Sequence, residues 1–447
     1  MLLSVTISNF RSLQGDQTLD LRPVYQSEAD AQSVAALYGA NASGKSNVLR
    51  GIRFIHDAIT GQADRDQAGN MYWAPFLLDH ESRTKPSRFS VDLLIGGTPY
   101  SYGFSIDMDG IAEEWLFSFP KKKKRILFER SKDGYYFGPT FGSAKAGLLS
   151  EITGAKELFI TNASRADAPD AKIITEWFRD SVWFADDDDK SRQSRRAMTR
   201  ELLVDPETRN SIETLLKAAD FGINRATVSN LKWQFEEVSD DSLAPGSFAV
   251  EERDGIARIK FNGKLASNLE QAVLENLHQR TTIRFQHLGD RARDFTIDDE
   301  SRGTQTWFDI AGVVTQALSK GWTLVVDELD TSLHPLLLAQ MIRLFQHSET
   351  NGHGAQLIFT THDASLMGRP GGEELLKRDE IWFTEKNSET GATELFPLTD
   401  FRPRAGLNWE KRYLGGAVGA IPFIADNFDG VADDPASGSD VRTDVGA

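Results

Sequence analysis

The chain has 447 residues and not one cysteine. That absence excludes a disulfide scaffold, a cysteine-ligated zinc site, an Fe–S cluster and thiol catalysis, and it suits a reducing compartment. No apolar run approaches the roughly 18 residues that a membrane-spanning helix needs, so no membrane partner is expected. The longest apolar stretches, such as residues 322–326, are strand-sized. The opening MLLSVTISNFRSLQGDQ has neither a basic start nor a small-residue cleavage site, so it reads as a strand and not as a secretory signal. Positive charge is in deficit: 50 Lys and Arg against 66 Asp and Glu leave a formal charge of −16. A chain coated uniformly by nucleic acid is thereby excluded, while a local basic groove stays open. What is present is core material, 40% apolar and 10% aromatic, which excludes wholesale disorder. The expectation is a cytoplasmic globular protein.

The hydrophobic pattern divides the chain. Leu3, Val5 and Ile7 alternate with polar residues, as in a half-buried strand, and Asn9-Phe10-Arg11-Ser12 ends it. A buried strand over 34–38 runs into Gly39, and Val48, Ile52, Ile55 and Ile59 then take helical spacing. Residues 76–141 read as short antiparallel strands, with a hairpin turning at Gly96-Gly97. Lys121, Lys122, Lys123, Lys124 and Arg125 fall between two of these strands, where a solvated hairpin tip is the simplest reading and a phosphate contact the alternative. Short helices dominate 170–280, with an acidic break at Asp186 to Asp189, a hairpin near 248–261 and a helix through Leu269, Val273 and Leu277. No heptad run is long enough for a coiled-coil arm. Beyond 281 the pattern returns to α/β. The resulting division is an N-terminal lobe over 1–165, a compact helical insertion or lid over 166–280, a C-terminal lobe over 281–425, and a disordered tail over 426–447.

Four motifs carry chemistry. Gly39-Ala40-Asn41-Ala42-Ser43-Gly44-Lys45-Ser46 is a complete GxxxxGK[ST] sequence, followed by Asn47. Small residues let backbone N–H groups wrap a phosphate chain, Lys45 reaches the β- and γ-phosphates, and the Ser46 hydroxyl ligates Mg²⁺. ATP and Mg²⁺ are the implied cofactors. Leu324-Val325-Val326-Asp327-Glu328 ends a buried strand in two acids, at the sheet edge where open α/β folds bind ligands. Asp327 is expected to hold the metal and Glu328 to polarise the attacking water. Thr360-Thr361-His362-Asp363 follows a second buried strand, which puts His362 in reach of a γ-phosphate sensing role. Glu300-Ser301-Arg302-Gly303-Thr304 precedes an amphipathic helix, where a Ser and a Gly can form an anion site. His287 and His334 lack metal spacing and read as structural.

Together with Pro75-Phe76-Leu77-Leu78-Asp79, Asp327-Glu328-Leu329-Asp330-Thr331-Ser332-Leu333-His334-Pro335 and Arg412-Tyr413-Leu414-Gly415-Gly416, these motifs resemble the ABC-type ATPase heads of the SMC and RecF class. More closely the chain is similar to the ATPases of the overcoming-lysogenization-defect (OLD) and abortive-infection group, RloA/AbiL-type. The resemblance implies an α/β fold: a P-loop ABC-type ATPase head with an antiparallel β lobe and a compact helical insertion. It implies that Arg11 lies near the nucleotide, that Ser301 and Gly303 act on ATP held by a second subunit, and that Asp330 and Ser332 communicate across that dimer. A homodimer or higher oligomer is expected. So is a role in prokaryotic antiviral defence, controlling a separately encoded effector, plausibly a nuclease. Two departures stand out. Ser301-Arg302-Gly303 replaces the transporter signature, and Gly415-Gly416-Ala417-Val418-Gly419 stands where Gly-Arg-Tyr-Gly would be expected. No glutamine is assignable to a Q-loop. Only 85 residues follow His362, too few for a nuclease domain after the closing hairpin, so the chain itself is not expected to be a nuclease. The rival functions are a RecF/SMC-like DNA-binding ATPase, a transporter subunit and a scaffold that binds ATP without turnover. The missing transporter signature speaks against the second, and the intact Asp327-Glu328 pair against the third.

Overall fold

The computed structural model describes residues 1–25, 29–64, 71, 73–141, 146–219, 222–230, 232–237, 248–253, 256–261, 281–287, 294–370, 372–402 and 407–421. The helix expected through Leu269, Val273 and Leu277, and the tail from 426, lie outside these residues.

The N-terminal part comprises β1 (Leu2–Ser8), β2 (Gln17–Asp20), β3 (Val34–Tyr38), α1 (Lys45–Thr60), β4 (Ser87–Ile95), β5 (Thr98–Asp107), β6 (Gly110–Ser118), β7 (Arg125–Ser131), β8 (Gly134–Phe137), α2 (Ala146–Ile152) and α3 (Phe159–Arg165). The middle comprises α4 (Pro169–Ser181), β9 (Val182–Ala185), α5 (Asp189–Leu202), α6 (Pro206–Ala218), β10 (Ile223–Asn230), β11 (Lys232–Glu237), β12 (Phe248–Arg253), β13 (Ile256–Phe261) and β14 (Thr281–His287). The last part comprises β15 (Asp294–Thr296), α7 (Arg302–Lys320), β16 (Thr323–Val326), α8 (Pro335–Gln346), β17 (Gln356–Thr360), β18 (Ile381–Lys386), β19 (Thr393–Pro397) and α9 (Trp409–Leu414).

Two large sheets organise these elements. The antiparallel lobe has the order β2-β1-β4-β5-β6-β7-β8. Its β4–β5 hairpin turns at Gly96 and Gly97, both at positive φ, which two adjacent glycines adopt without a Cβ penalty. The central sheet has the order β19-β18-β3-β17-β16-β9, parallel from β18 to β9 with β19 antiparallel at one edge. Its strands are buried on both faces. Val34, Ala36 and Tyr38 belong to one core cluster and Ala35 and Leu37 to the other, and Leu357 and Phe359 are divided from Ile358 in the same way. That is why these strands read as unbroken apolar runs.

Among the described residues of the segment expected to be a compact helical insertion, helices fill the first half and strands the second. Helices α4, α5 and α6 end at Ala218, and β10 to β14 follow, in two small sheets of three strands each once β15 joins β10 and β14. β9 adds a further difference: Val182-Trp183-Phe184-Ala185 leaves the helices and pairs in parallel with β16, closing the edge of the central sheet. Pro206 starts α6 behind the Asp205 cap, so the break between α5 and α6 falls where the proline predicts. The acidic run is spent on structure. Asp188 caps α5 through Ser191 N–H, Asp186 pairs with Arg53 at 2.5 Å, and Arg192 lies within 4 Å of Asp187 and Asp189. His287 meets Glu300 at 2.6 Å, and His334 caps α8.

Candidate nucleotide site

The loop of residues 39–44 leaves the buried end of β3 and enters α1 at Lys45. Gly44 is the N-cap, at φ 112°, and no side chain caps the helix. The first turn of α1 thus presents backbone N–H groups and the positive end of the helix dipole, which together favour an anion. Asn41 and Ala42 are exposed and Ala42 takes a positive φ, while Ser43 is buried. Lys45 is only 6% exposed, and its Nζ donates to Gly39 O at 2.7 Å and Ala40 O at 3.2 Å. Burial pulls the Lys45 pKa below its ordinary value, and the carboxylates of Glu328, Asp327 and Asp330 oppose that pull. The three acids thus converge on one buried cation.

Topology explains the convergence. β17 lies between β3 and β16, so the end of β17 stands between the phosphate loop and the two acids. Thr360, the last residue of β17, donates from Oγ1 to Asp327 Oδ1 at 2.6 Å and accepts from Glu328 N at 2.7 Å. Ser46 Oγ donates to the same Asp327 oxygen at 3.2 Å. A hydroxyl and a carboxylate oxygen this close are the hard donors that Mg²⁺ prefers, and they fit that ion. Glu328 is exposed and held at φ 51°, a costly conformation for a residue with a side chain, of the kind that collects at functional sites. Residues 34–368 match the family described as "AAA domain, putative AbiEii toxin, Type IV TA system". The chain belongs to this family.

The rest of the AAA domain's candidate residues fall into two groups. His362 is exposed just past β17, and its backbone N–H donates to Asp330 Oδ2 at 3.2 Å, so the two expected switch residues are joined through the backbone. Burial, then Asp363, Tyr413 and Asp330, push the Tyr38 phenol well above its usual range. Ser301 caps α7: its Oγ accepts from Thr304 N at 3.2 Å and lies 2.8 Å from Thr304 Oγ1. The hydroxyl expected to act on a second subunit's ATP is thus engaged within its own turn. Gly303 packs on the loop after the acids, since a Cβ there would stand 3.1 Å from Ser332 O. The Ser301 turn and the Asp330–Ser332 loop therefore form one surface. No hydrogen bond or ion pair among the described residues joins that turn to residues 39–47.

Arg11 takes a positive φ, donates its N–H to Ala74 O at 2.7 Å and lies 5.6 Å from the centroid of its neighbour Phe10. Asn9, also at positive φ, donates to Ser82 O and Lys85 O at 2.8 Å and accepts from Phe76 N at 3.1 Å. That side chain pins the Pro-Phe-Leu-Leu-Asp segment to the Asn-Phe-Arg-Ser segment. Asn47 donates to Ser12 Oγ at 2.7 Å and accepts from Arg50. Tyr413 stacks on Phe383 and has its hydroxyl beside the Gly39 N–H, which seats the late Arg-Tyr-Leu-Gly-Gly motif beneath the phosphate loop. The sequence reading did not single out Thr360, Ser12, Thr384 or Thr393 as site residues. Thr360 had a signal, its place beside His362; the other three are distant in sequence from the side chains they bond.

No curated protein sequence matches the chain. Among solved structures it is similar to an SMC head bound to the C-terminal winged-helix domain of ScpA, at 13% identity over 89% of this chain and 97% of that one, with a TM-score of 0.47. It is also similar to the SMC head domain from Thermotoga maritima, at 13% identity over 89% and 98%, with a TM-score of 0.39. A Pyrococcus furiosus SMC head with an extended coiled coil gives 12%, 92% and 98%, with a TM-score of 0.40.

Proposed function

We propose that this AAA domain binds and hydrolyses ATP as an ABC-type switch, closing on a second copy of itself. The observation that supports this most directly is the hydroxyl–carboxylate chain from Ser46 through Asp327 and Thr360 to Glu328, set beside the buried Lys45. In this reading the amides of residues 39–47 cradle the triphosphate, and Lys45 faces its β- and γ-phosphates. Ser46 and Asp327 hold Mg²⁺, which when bound neutralises charge on phosphate oxygens. Glu328 orients and polarises the attacking water. His362 reports the γ-phosphate to the Asp330 loop. Arg11 borders the nucleotide, and Ser301 and Gly303 complete the partner's site. Glu328→Gln keeps the shape and removes the charge, so it should retain ATP binding while turnover falls about 10²–10³-fold. Unchanged turnover in the purified variant would sink the assignment.

The biological reading follows the family's own description, which names a toxin of a toxin–antitoxin system. For this chain it is an antiviral defence ATPase that holds or releases a separately encoded effector. Co-purification from the native operon, followed by mass spectrometry, tests that part. A second reading, ATP-gated DNA binding of the RecF/SMC kind, is favoured by one observation: Lys121, Lys122, Lys123 and Lys124 are exposed beyond the end of β6, the first two at positive φ. Hydrolysis stimulated by duplex DNA and lost on replacing these lysines would select it.

A further inference from the structure

Two threonines on one hairpin grip the phosphate loop from outside it. β18 and β19 are paired antiparallel and carry Thr384 and Thr393, 0% and 1% exposed. Thr393 Oγ1 lies 2.7 Å from Ser43 O and 2.7 Å from Ser12 Oγ, and Ser12 Oγ accepts from Asn47 Nδ2. A carbonyl can only accept, so Thr393 Oγ1 donates to Ser43 O; the same hydroxyl is the donor toward Ser12 Oγ, which also accepts from the Asn47 amide. These contacts form one hydrogen-bonded chain from Asn47 through Ser12 and Thr393 to Ser43. A second chain runs beside it. Ser43 Oγ is 2.6 Å from Thr384 Oγ1, which reaches Tyr38 O at 3.3 Å. By the same argument Ser43 donates to Thr384 and Thr384 to the Tyr38 carbonyl.

The carbonyls being held decide which way the loop's amides face. In a trans peptide the C=O and the following N–H point in opposite directions. Pinning Ser43 O to the hairpin therefore turns the Gly44 N–H away from it; the Gly39 N–H, behind the pinned Tyr38 O, meets the Tyr413 hydroxyl. Gly44, at φ 112°, stands beside the peptide that would otherwise turn most freely. The fit is close on both sides. A Cβ on Gly39 would lie 2.4 Å from Thr384 Oγ1, and one on Gly44 would lie 2.2 Å from Thr393 Oγ1. Two glycines of the GxxxxGK motif thus leave room for two threonines some 350 residues away. Neither strand lies in the span 34–368 that matches the family, and nor does Ser12.

We infer that Thr393 and Thr384 are positioning residues for nucleotide binding: the β18–β19 hairpin is a clasp that presets the amides of the phosphate loop, with Ser12 as its third contact. The inference rests on the nucleotide-binding reading above. Without the clasp the loop must be ordered by each incoming nucleotide, so affinity should suffer more than the chemical step. Thr393→Val keeps the shape and removes the hydroxyl; Thr393→Ser keeps the hydroxyl. Mg-ADP binding by calorimetry and Mg-ATP turnover should show Kd and KM raised about tenfold in Thr393→Val, with kcat within about threefold, as one lost buried hydrogen bond implies. Thr393→Ser should stay within about twofold of wild type. Wild-type Mg-ADP affinity in Thr393→Val, or an equal loss in Thr393→Ser, overturns the clasp. If Thr393→Val does not fold, Thr384→Val and Ser12→Ala decide by the same criterion. Wild-type protein that binds no Mg-ADP overturns the reading of the site instead, so the two failures are distinct.

Discussion

Two helices in this molecule carry small residues at their start, and they begin differently. α1 opens at Gly44 with no side-chain cap, and its lysine is buried against carbonyls of its own loop. α7 opens at Ser301 with its cap in place, the serine accepting from Thr304. The first turn's amides are a costly thing to leave unsatisfied, and only one of these helices satisfies them from its own N-cap side chain. The uncapped one is held by Thr384, Thr393 and Ser12; the capped one is exposed at Ser301 and Arg302. The contrast suits a primary site at α1, preset for a ligand, and an auxiliary one at α7 that can engage a partner and otherwise stay closed on itself.

The largest effect that would break the contrast is at α1. Lys45→Ala removes the buried cation on which Glu328, Asp327 and Asp330 converge, takes from Gly39 O its side-chain donor and leaves Ala40 O with the Ser43 N–H alone. Turnover should fall by about 10³-fold or more, with nucleotide affinity reduced or lost. If binding and rate are both unchanged, α1 is not a phosphate site, and the two helix starts do not differ in function.

A smaller and more selective effect is expected at α7. Ser301→Arg should leave Mg-ADP binding within about twofold while blocking closure and hydrolysis, because this turn shares no hydrogen bond with residues 39–47 among the described residues. Mixing it with Lys45→Ala protein tests the arrangement. In a mixed dimer both defects fall on one shared site and the other is whole, so part of the activity returns. No recovery at any ratio, with subunit exchange demonstrated by fluorescence transfer, counts against action in trans.

The same contrast shows what the sequence could reveal. The phosphate loop, the acid pair and their flanking strands were legible because each is a local pattern: an apolar run, a glycine turn, a helical stripe. The antiparallel lobe was legible by alternation and the Gly96-Gly97 turn. The clasp was not, because Thr384 and Thr393 meet Ser43 across some 350 residues and read as ordinary strand threonines. β9 was hidden differently. Four residues wedged between a helix and an acidic run give no period to read, and its strand state comes from pairing with β16. Beyond Ala218 the strands β10 to β14 were only partly anticipated, since short polar-rich strands such as β10 show weak alternation and take their form from their neighbours.

The smallest expected effect separates the two roles that Ser301 can have. As a cap, its oxygen matters only as an acceptor for Thr304 N–H, and Ser301→Ala should cost about 1 kcal/mol of stability, read as a drop in the urea midpoint. Aspartate is an equally good cap, and its charge suits a helix N-terminus, so Ser301→Asp should match wild type or exceed it slightly. Against a partner's triphosphate the order changes. A carboxylate there repels the γ-phosphate, so Ser301→Asp should lose most of the hydrolysis while Ser301→Ala, which adds no charge and leaves the backbone amides, keeps a larger share. The two variants therefore rank oppositely in stability and in turnover. If both measurements rank them the same way, Ser301 is a helix cap and nothing more, and the second helix start has no ligand to meet.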